Sequence, residues 1–131
     1  MKKQGILGNA LSEVIASMGH TDLLVISDAG FPTPPGVQRI DLAVRCGLPS
    51  MLEVTQAIAG DLEVEAVTIA NELLARDDAL PAALRDLFPN APLHHVSHEE
   101  FKRLSQRARA VVRTGECTPY YNVILTSGVT Y

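Results

Sequence analysis

Leu23-Leu24-Val25-Ile26 is an unbroken apolar run between two breaks, and it limits the fold more than any other feature of the 131 residues. An apolar run without alternation has no solvent-facing side, so as a strand it needs cover on both faces. Before it, Leu11, Val14, Ile15 and Met18 fall at helical spacing. They predict a helix over about Leu11–Met18, with Asn9 or Ala10 where a cap belongs and Gly19 as the stop. After it, Asp28–Gly36 contains Pro32, Pro34 and Pro35. Proline lacks the amide hydrogen that helices and ladders require, so this segment is a loop.

The rest of the chain alternates in the same way. A strand is expected near Arg39–Val44. Ser50 followed three residues on by Glu53 is a capping box that opens a helix. Glu65–Ala70 reads as a strand, Asn71–Arg76 and Pro81–Leu87 as helical pieces, and Pro92–Val96 as a strand. Ser97 and Glu100 form a second capping box, opening a helix through about Ala108 in which Glu99 and Arg103 are spaced to pair. Ala110–Arg113 and Tyr121–Leu125 read as the last strands, and the apolar end Gly128–Tyr131 is expected to be tied down. Alternating strands and helices predict an α/β domain: three α/β/α layers around a central mixed sheet. No repeat or linker divides it, so one domain over residues 1–131 is expected.

Composition narrows the function. Eleven Lys and Arg against fifteen Asp and Glu give a net charge of −4. Without a basic stripe, neither nucleic acid nor an anionic membrane is an expected partner. No apolar run approaches the ~20 residues of a membrane span. Gly8, Asn9, Ser12 and Glu13 interrupt the segment behind Met1-Lys2-Lys3, so no signal peptide is read and a cytoplasmic protein is expected. Cys46 and Cys117 are too distant for a CxxC motif and too few for a disulfide framework, so free thiols are expected. Nucleotide-binding and hydrolase motifs are absent. The histidines, His20, His94, His95 and His98, lack metal-ligand spacing, and the adjacent His94 and His95 would point to opposite sides of a strand. Neither a cofactor nor a metal is expected.

A few residues stand where chemistry gathers. His20 lies between the first helix and the central strand, and Asp28 lies just past that strand's carboxyl end, where open α/β sheets collect ligands. Roughly 15–20 Å of strand separates them at ~3.3 Å per residue. They meet only if the connection from Gly19 folds back or if a second subunit supplies one of them. His98 opens a capped helix whose partly positive end favours a neutral imidazole. A neutral imidazole both donates and accepts, which suits a polyhydroxy ligand. Lys102 lies four residues on, on the same face. Tyr120 and Asn122 would project from one side of an extended chain, offering a phenol and an amide.

Taken in order, Met18-Gly19-His20-Thr21-Asp22, Asp28-Ala29-Gly30-x-Pro32-x-Pro34, Arg39-Ile40-Asp41, Val64-Glu65-Ala66, Ser97-His98-Glu99-Glu100-Phe101-Lys102, Val112-Arg113-Thr114-Gly115-Glu116 and Pro119-Tyr120-x-Asn122-x-Ile124-Leu125 resemble the D-ribose pyranase family, whose other branch is the fucose mutarotases. The resemblance runs from end to end. It implies cofactor-free interconversion of pyranose and furanose forms of a sugar, chiefly D-ribose, by a homo-oligomer of ten subunits with sites between neighbours. It implies His20 as proton donor, with Asp28, His98, Tyr120, Tyr121 and Asn122 binding the sugar and Lys102 beside them. Tyr121 replaces a small residue of the family pattern. Phe31 resembles the fucose branch, whereas Gly30 fits the ribose branch. The chemistry suits these residue types, because opening and reclosing a cyclic sugar needs a proton delivered and a proton removed. One imidazole near neutrality performs both. Two other expectations remain open: a fucose mutarotase, and a non-catalytic sugar-binding accessory protein of an uptake system.

Overall fold

The computed structural model describes all residues, Met1–Tyr131. The elements run α1 (Asn9–Ser17), β1 (Leu23–Ser27), β2 (Gln38–Asp41), α2 (Met51–Ala59), β3 (Val64–Ala70), α3 (Asn71–Arg76), α4 (Ala79–Leu87), β4 (Leu93–Val96), α5 (His98–Ser105), β5 (Ala108–Arg113) and β6 (Val123–Ser127). The six strands form one mixed sheet in the order β2-β5-β1-β6-β3-β4. β1 pairs parallel with β5, β5 with β2, and β3 with β4, while β6 runs antiparallel between β1 and β3. The apolar run is therefore central, and Leu24, Val25 and Ile26 are fully buried.

The two sheet faces carry unequal loads. Leu24, Ile26, Val67, Ile69, Ala110, Val112, Val123 and Leu125 point to the larger core, closed by Leu11 and Val14 of α1, Met51, Val54 and Ile58 of α2, Leu73 of α3, and Leu80 and Leu84 of α4. On the other face Val25, Val111 and Ile124 meet Phe101 of α5 and Phe31 of the loop after β1. α5 is thus the sole helix of that layer. Its burial rests largely on Phe101, which is 0 % exposed. No helix is long and apolar enough to cross a membrane.

Several local expectations are corrected. α1 starts at Asn9 behind Gly8, without a side-chain cap, and the left-handed residue after it is Thr21 (φ 70°), not Gly19. β2 ends at Asp41, because residues 42–49 turn back over the loop after β5. α5 stops at Ser105, and Arg103 pairs with Glu100 while Glu99 takes Lys102 at 2.6 Å, because one-turn i, i+3 partners lie nearer than the expected i, i+4 pair. The C-terminal end is tied down only at its start, where Gly128 N–H donates to the Glu63 carbonyl at 2.9 Å, while Val129 and Tyr131 are exposed. Cys46 and Cys117 are joined in a disulfide across 71 residues. Spacing along the chain carried no sign that the segments after β2 and β5 would bring their Cα atoms to 5.8 Å.

Those two segments are stitched together. Gly47 N–H donates to the Gly115 carbonyl at 2.6 Å, Gly115 N–H donates to Pro49 at 2.8 Å, and the Met51 amide at the start of α2 donates to Glu116 at 3.3 Å. A Cβ on Gly115 would lie 2.4 Å from the carbonyl oxygens of both Arg45 and Leu48. Only glycine allows that approach.

Candidate active site

Because β6 alone is antiparallel, the carboxyl ends of β1 and β5 and the start of β6 meet at one end of the sheet, beside the start of α5. A pocket of about 440 Å³ opens there, lined among others by Asp28, Phe31, His98, Glu116, Tyr120 and Asn122. Asp28 stands at the strand end as expected, and His98 at the first position of the capped helix α5.

Asp28 is held from three sides. Its Oδ1 accepts from Gly30 N–H at 3.0 Å, and its Oδ2 accepts from the Asn122 amide at 3.0 Å. The Asn122 Oδ1 in turn accepts the Asp28 backbone N–H at 2.9 Å. Asn122 is 1 % exposed, so this two-bond clamp works away from water. Burial raises the Asp28 carboxyl above the usual carboxylate range, opposed first by the hydrogen bond from Asn122 and then by those from Gly30 and Phe31. The loop is fixed further by Arg113, whose Nε donates to the Ala29 carbonyl at 2.9 Å while its guanidinium grips Asp41 at 3.0 Å. From the far side, Ala29 N–H donates to the Glu116 carbonyl at 2.7 Å.

His98 is wedged among aromatics. Its ring lies 6.3 Å from those of Phe31 and Phe101 and 5.1 Å, edge to face, from Tyr120. Its backbone N–H donates to Glu72 at 2.9 Å, and Ser97 caps the helix at Glu100 N–H. Nδ1 of His98 is buried and has no hydrogen-bond partner within the chain. Leaving such a group unmade costs about 1–3 kcal/mol, and such exceptions mark functional positions.

Tyr120 and Asn122 both reach the pocket, but not through an extended chain. Tyr120 has φ 66°, and Asn122 N–H donates to its carbonyl at 2.8 Å. This tight turn sends Tyr121 to the opposite side, where it packs on the larger core. Lys102 is paired with Glu99 and does not line the pocket. His20 stands at the other end of the sheet, where its Nε2 meets Glu65 at 2.7 Å and the next residue, Thr21, donates to the Ser127 carbonyl. The connection from Gly19 does not fold back. Glu116 had no role assigned from sequence. Its carboxylate is occupied by Met51 N–H and by Thr118 N–H and Oγ1, so it shapes the pocket wall. The signs in the sequence were its charge in the turn after β5 and its place in the Val112–Glu116 motif.

A half-buried carboxylate, an unpartnered imidazole nitrogen and a phenol converging on a small pocket define a protein that binds a compact, multiply hydroxylated ligand at the carboxyl end of an α/β sheet. Comparison with known proteins narrows this class. Residues 1–130 match the RbsD / FucU transport protein family. The chain is 55% identical to D-ribose pyranase of Symbiobacterium thermophilum and 47% identical to that of Bacillus cereus, covering 100% of both partners in each case. It superposes on Bacillus subtilis RbsD complexed with D-ribose with a TM-score of 0.96 at 45% identity, covering all of both chains. The fucose mutarotase of Streptococcus pneumoniae, in complex with L-fucose, shares the fold, with a TM-score of 0.76 at 23% identity over 95% of each chain. The chain belongs to the RbsD / FucU family.

Proposed function

We propose that the chain interconverts the β-pyranose and β-furanose forms of D-ribose, the activity of a D-ribose pyranase, by acid–base opening and reclosing of the ring. The observation that carries this reading is full-length identity of 46–55% to D-ribose pyranases, together with a pocket whose polar atoms suit sugar hydroxyls. In this reading the carboxylate of Asp28 accepts from sugar hydroxyls and Nδ1 of His98 takes another, which gives that nitrogen the partner the chain does not provide. Tyr120 covers the ring. Asn122 binds mainly by holding Asp28. His20 is the proton-transfer group. Its free ring nitrogen takes the proton of the anomeric hydroxyl and passes it to the ring oxygen as the C1–O bond breaks and that hydroxyl becomes a carbonyl; closure moves a proton from the attacking hydroxyl to the carbonyl oxygen by the same route. No electron carrier or nucleotide is needed for that sequence.

His20 and Asp28 lie at opposite ends of the central strand β1, so His20 must enter the pocket from a second copy of the chain. The family resemblance favours an assembly of ten subunits, with residues 1–131 of each read as a single domain. We place the enzyme in the cytoplasm, where the Cys46–Cys117 disulfide would meet a thiol-reducing pool.

The test is NMR saturation transfer between β-pyranose and β-furanose ribose, with and without protein, and between fucose anomers at equal sugar concentration. Protein-dependent ribose exchange that exceeds fucose exchange is expected. Faster fucose exchange would place the chain with the mutarotases and make Phe31→Leu the first change to examine. Ribose binding without exchange would leave a sugar-binding accessory protein.

A further inference from the structure

The Val64-Glu65-Ala66 motif does no work in the pocket, yet the backbone is bent around it. Along β3, Val64 pairs with Ser127 and Ala66 with Thr126, so two steps on β3 match one on β6 and Glu65 is the extra residue of a β-bulge. Bulges re-aim a side chain. Here the carboxylate is turned onto His20, with Oε2 at 2.7 Å from Nε2. Gly128 keeps the place open, since a Cβ there would lie 3.1 Å from Cβ of Glu65.

The histidine is held with equal care. Gly19 N–H donates to the Asp22 carboxylate at 2.9 Å, and Asp22 N–H donates to the Gly19 carbonyl at 3.2 Å. Thr21 N–H and Ser127 N–H then tie the turn to β6 at 2.9 and 2.8 Å. Thr21, a β-branched residue, is left-handed at φ 70°. Such a conformation is uncommon for this residue type and persists only where its surroundings enforce it. The bulge at Glu65 and the left-handed Thr21 thus converge on one exposed hydrogen-bonded pair that contributes little to stability by itself.

We propose that Glu65 is the positioning residue of the proton-transfer group: it accepts Nε2–H of His20 and leaves Nδ1 to carry the exchanged proton. This rests on the reading of His20 as that group. The carboxylate fixes the ring's orientation and its tautomer, because an imidazole whose Nε2–H is held by an acceptor has its lone pair on Nδ1. When Nδ1 gains a proton, the neighbouring carboxylate faces the imidazolium. When Nδ1 gives it up, the Nε2–H bond is unchanged. One ring nitrogen does the chemistry while the other stays anchored.

The experiment joins kinetics to a spectroscopic signature. Long-range ¹H–¹⁵N spectra of the intact protein with ¹⁵N-labelled histidine should report His20 as the Nε2–H tautomer. Glu65→Ala and Glu65→Gln should weaken that preference and lower the exchange rate at saturating ribose by about 10–100-fold, the range for carboxylates that orient a metal-bound imidazole. KM should change little. An Nδ1–H tautomer in the unaltered protein, a wild-type rate in Glu65→Ala, or a rate loss with the tautomer unmoved would each overturn the proposal. His20→Ala is measured alongside. If it exchanges ribose normally, the reading of His20 fails; if it is slow while Glu65→Ala is normal, only the role of Glu65 fails.

Discussion

At the scale of single residues, function and stability pull apart at Asp28. Its folded-state carboxyl holds its proton to higher pH than in the unfolded chain, because burial penalises the charge. Between those two values the folded state binds more protons, so stability falls as pH rises through that window and is level above it. Asp28→Asn is expected to flatten this slope in urea melts run across the acid range, to keep the fold at neutral pH and to lose ribose exchange. His20→Ala should behave differently: its melt is unchanged, ribose binding by calorimetry is retained, and exchange falls by ~10²–10⁴, the worth of general acid–base help. Wild-type exchange in that variant would remove His20 from the mechanism. Asp28 was legible because it follows the unbroken apolar run of the central strand, and His98 because Ser97 caps the helix that it opens. The turn at Tyr120 was not, since nothing in the apolar pattern marks a left-handed residue there, although Tyr121 still faces away from Tyr120 and Asn122 as alternation gives.

At the scale of elements, the pocket stands on two supports that sequence patterns reveal unequally. α5 was legible from Ser97 and its capping position, and so was α2 from Ser50 and Glu53, whose reciprocal bonds are present. The disulfide and the packing of residues 42–49 on Gly115 were not legible. Both depend on loops that meet only after β2 and β5 pair, and local spacing does not encode that pairing. Gly115→Ala must push a methyl group into two carbonyl oxygens. A cost of about 1–3 kcal/mol is expected, as for overpacked sites, or about 3–5 °C in melting temperature per kcal/mol for a chain of this size. Phe101→Ala removes the main anchor of α5. It should cost about 3–5 kcal/mol and loosen His98 as well, so that a melting curve and ribose affinity fall together. Retained affinity in a folded Phe101→Ala protein would show that the aromatic packing does not position the imidazole.

At the scale of the whole molecule, the sheet order decides what one copy can do. The alternation of strands and helices announced an α/β fold, but nothing local announced that β6 would run antiparallel between β1 and β3. That reversal brings Asn122 to Asp28. The same sheet keeps His20 at the amino end of β1, far from Asp28, so the proposed site is assembled from two copies. Light scattering should find a homo-oligomer, and a fully active monomer would end that reading. The most direct measurement mixes two inactive variants, His20→Ala and Asp28→Asn, by co-expression, and follows ribose exchange by saturation transfer. Chance assembly in a symmetric ring pairs an intact His20 with an intact Asp28 at about a quarter of the contacts. Recovery of exchange to roughly that fraction is predicted, whereas a mixture as inactive as either parent would contradict a pocket shared between subunits.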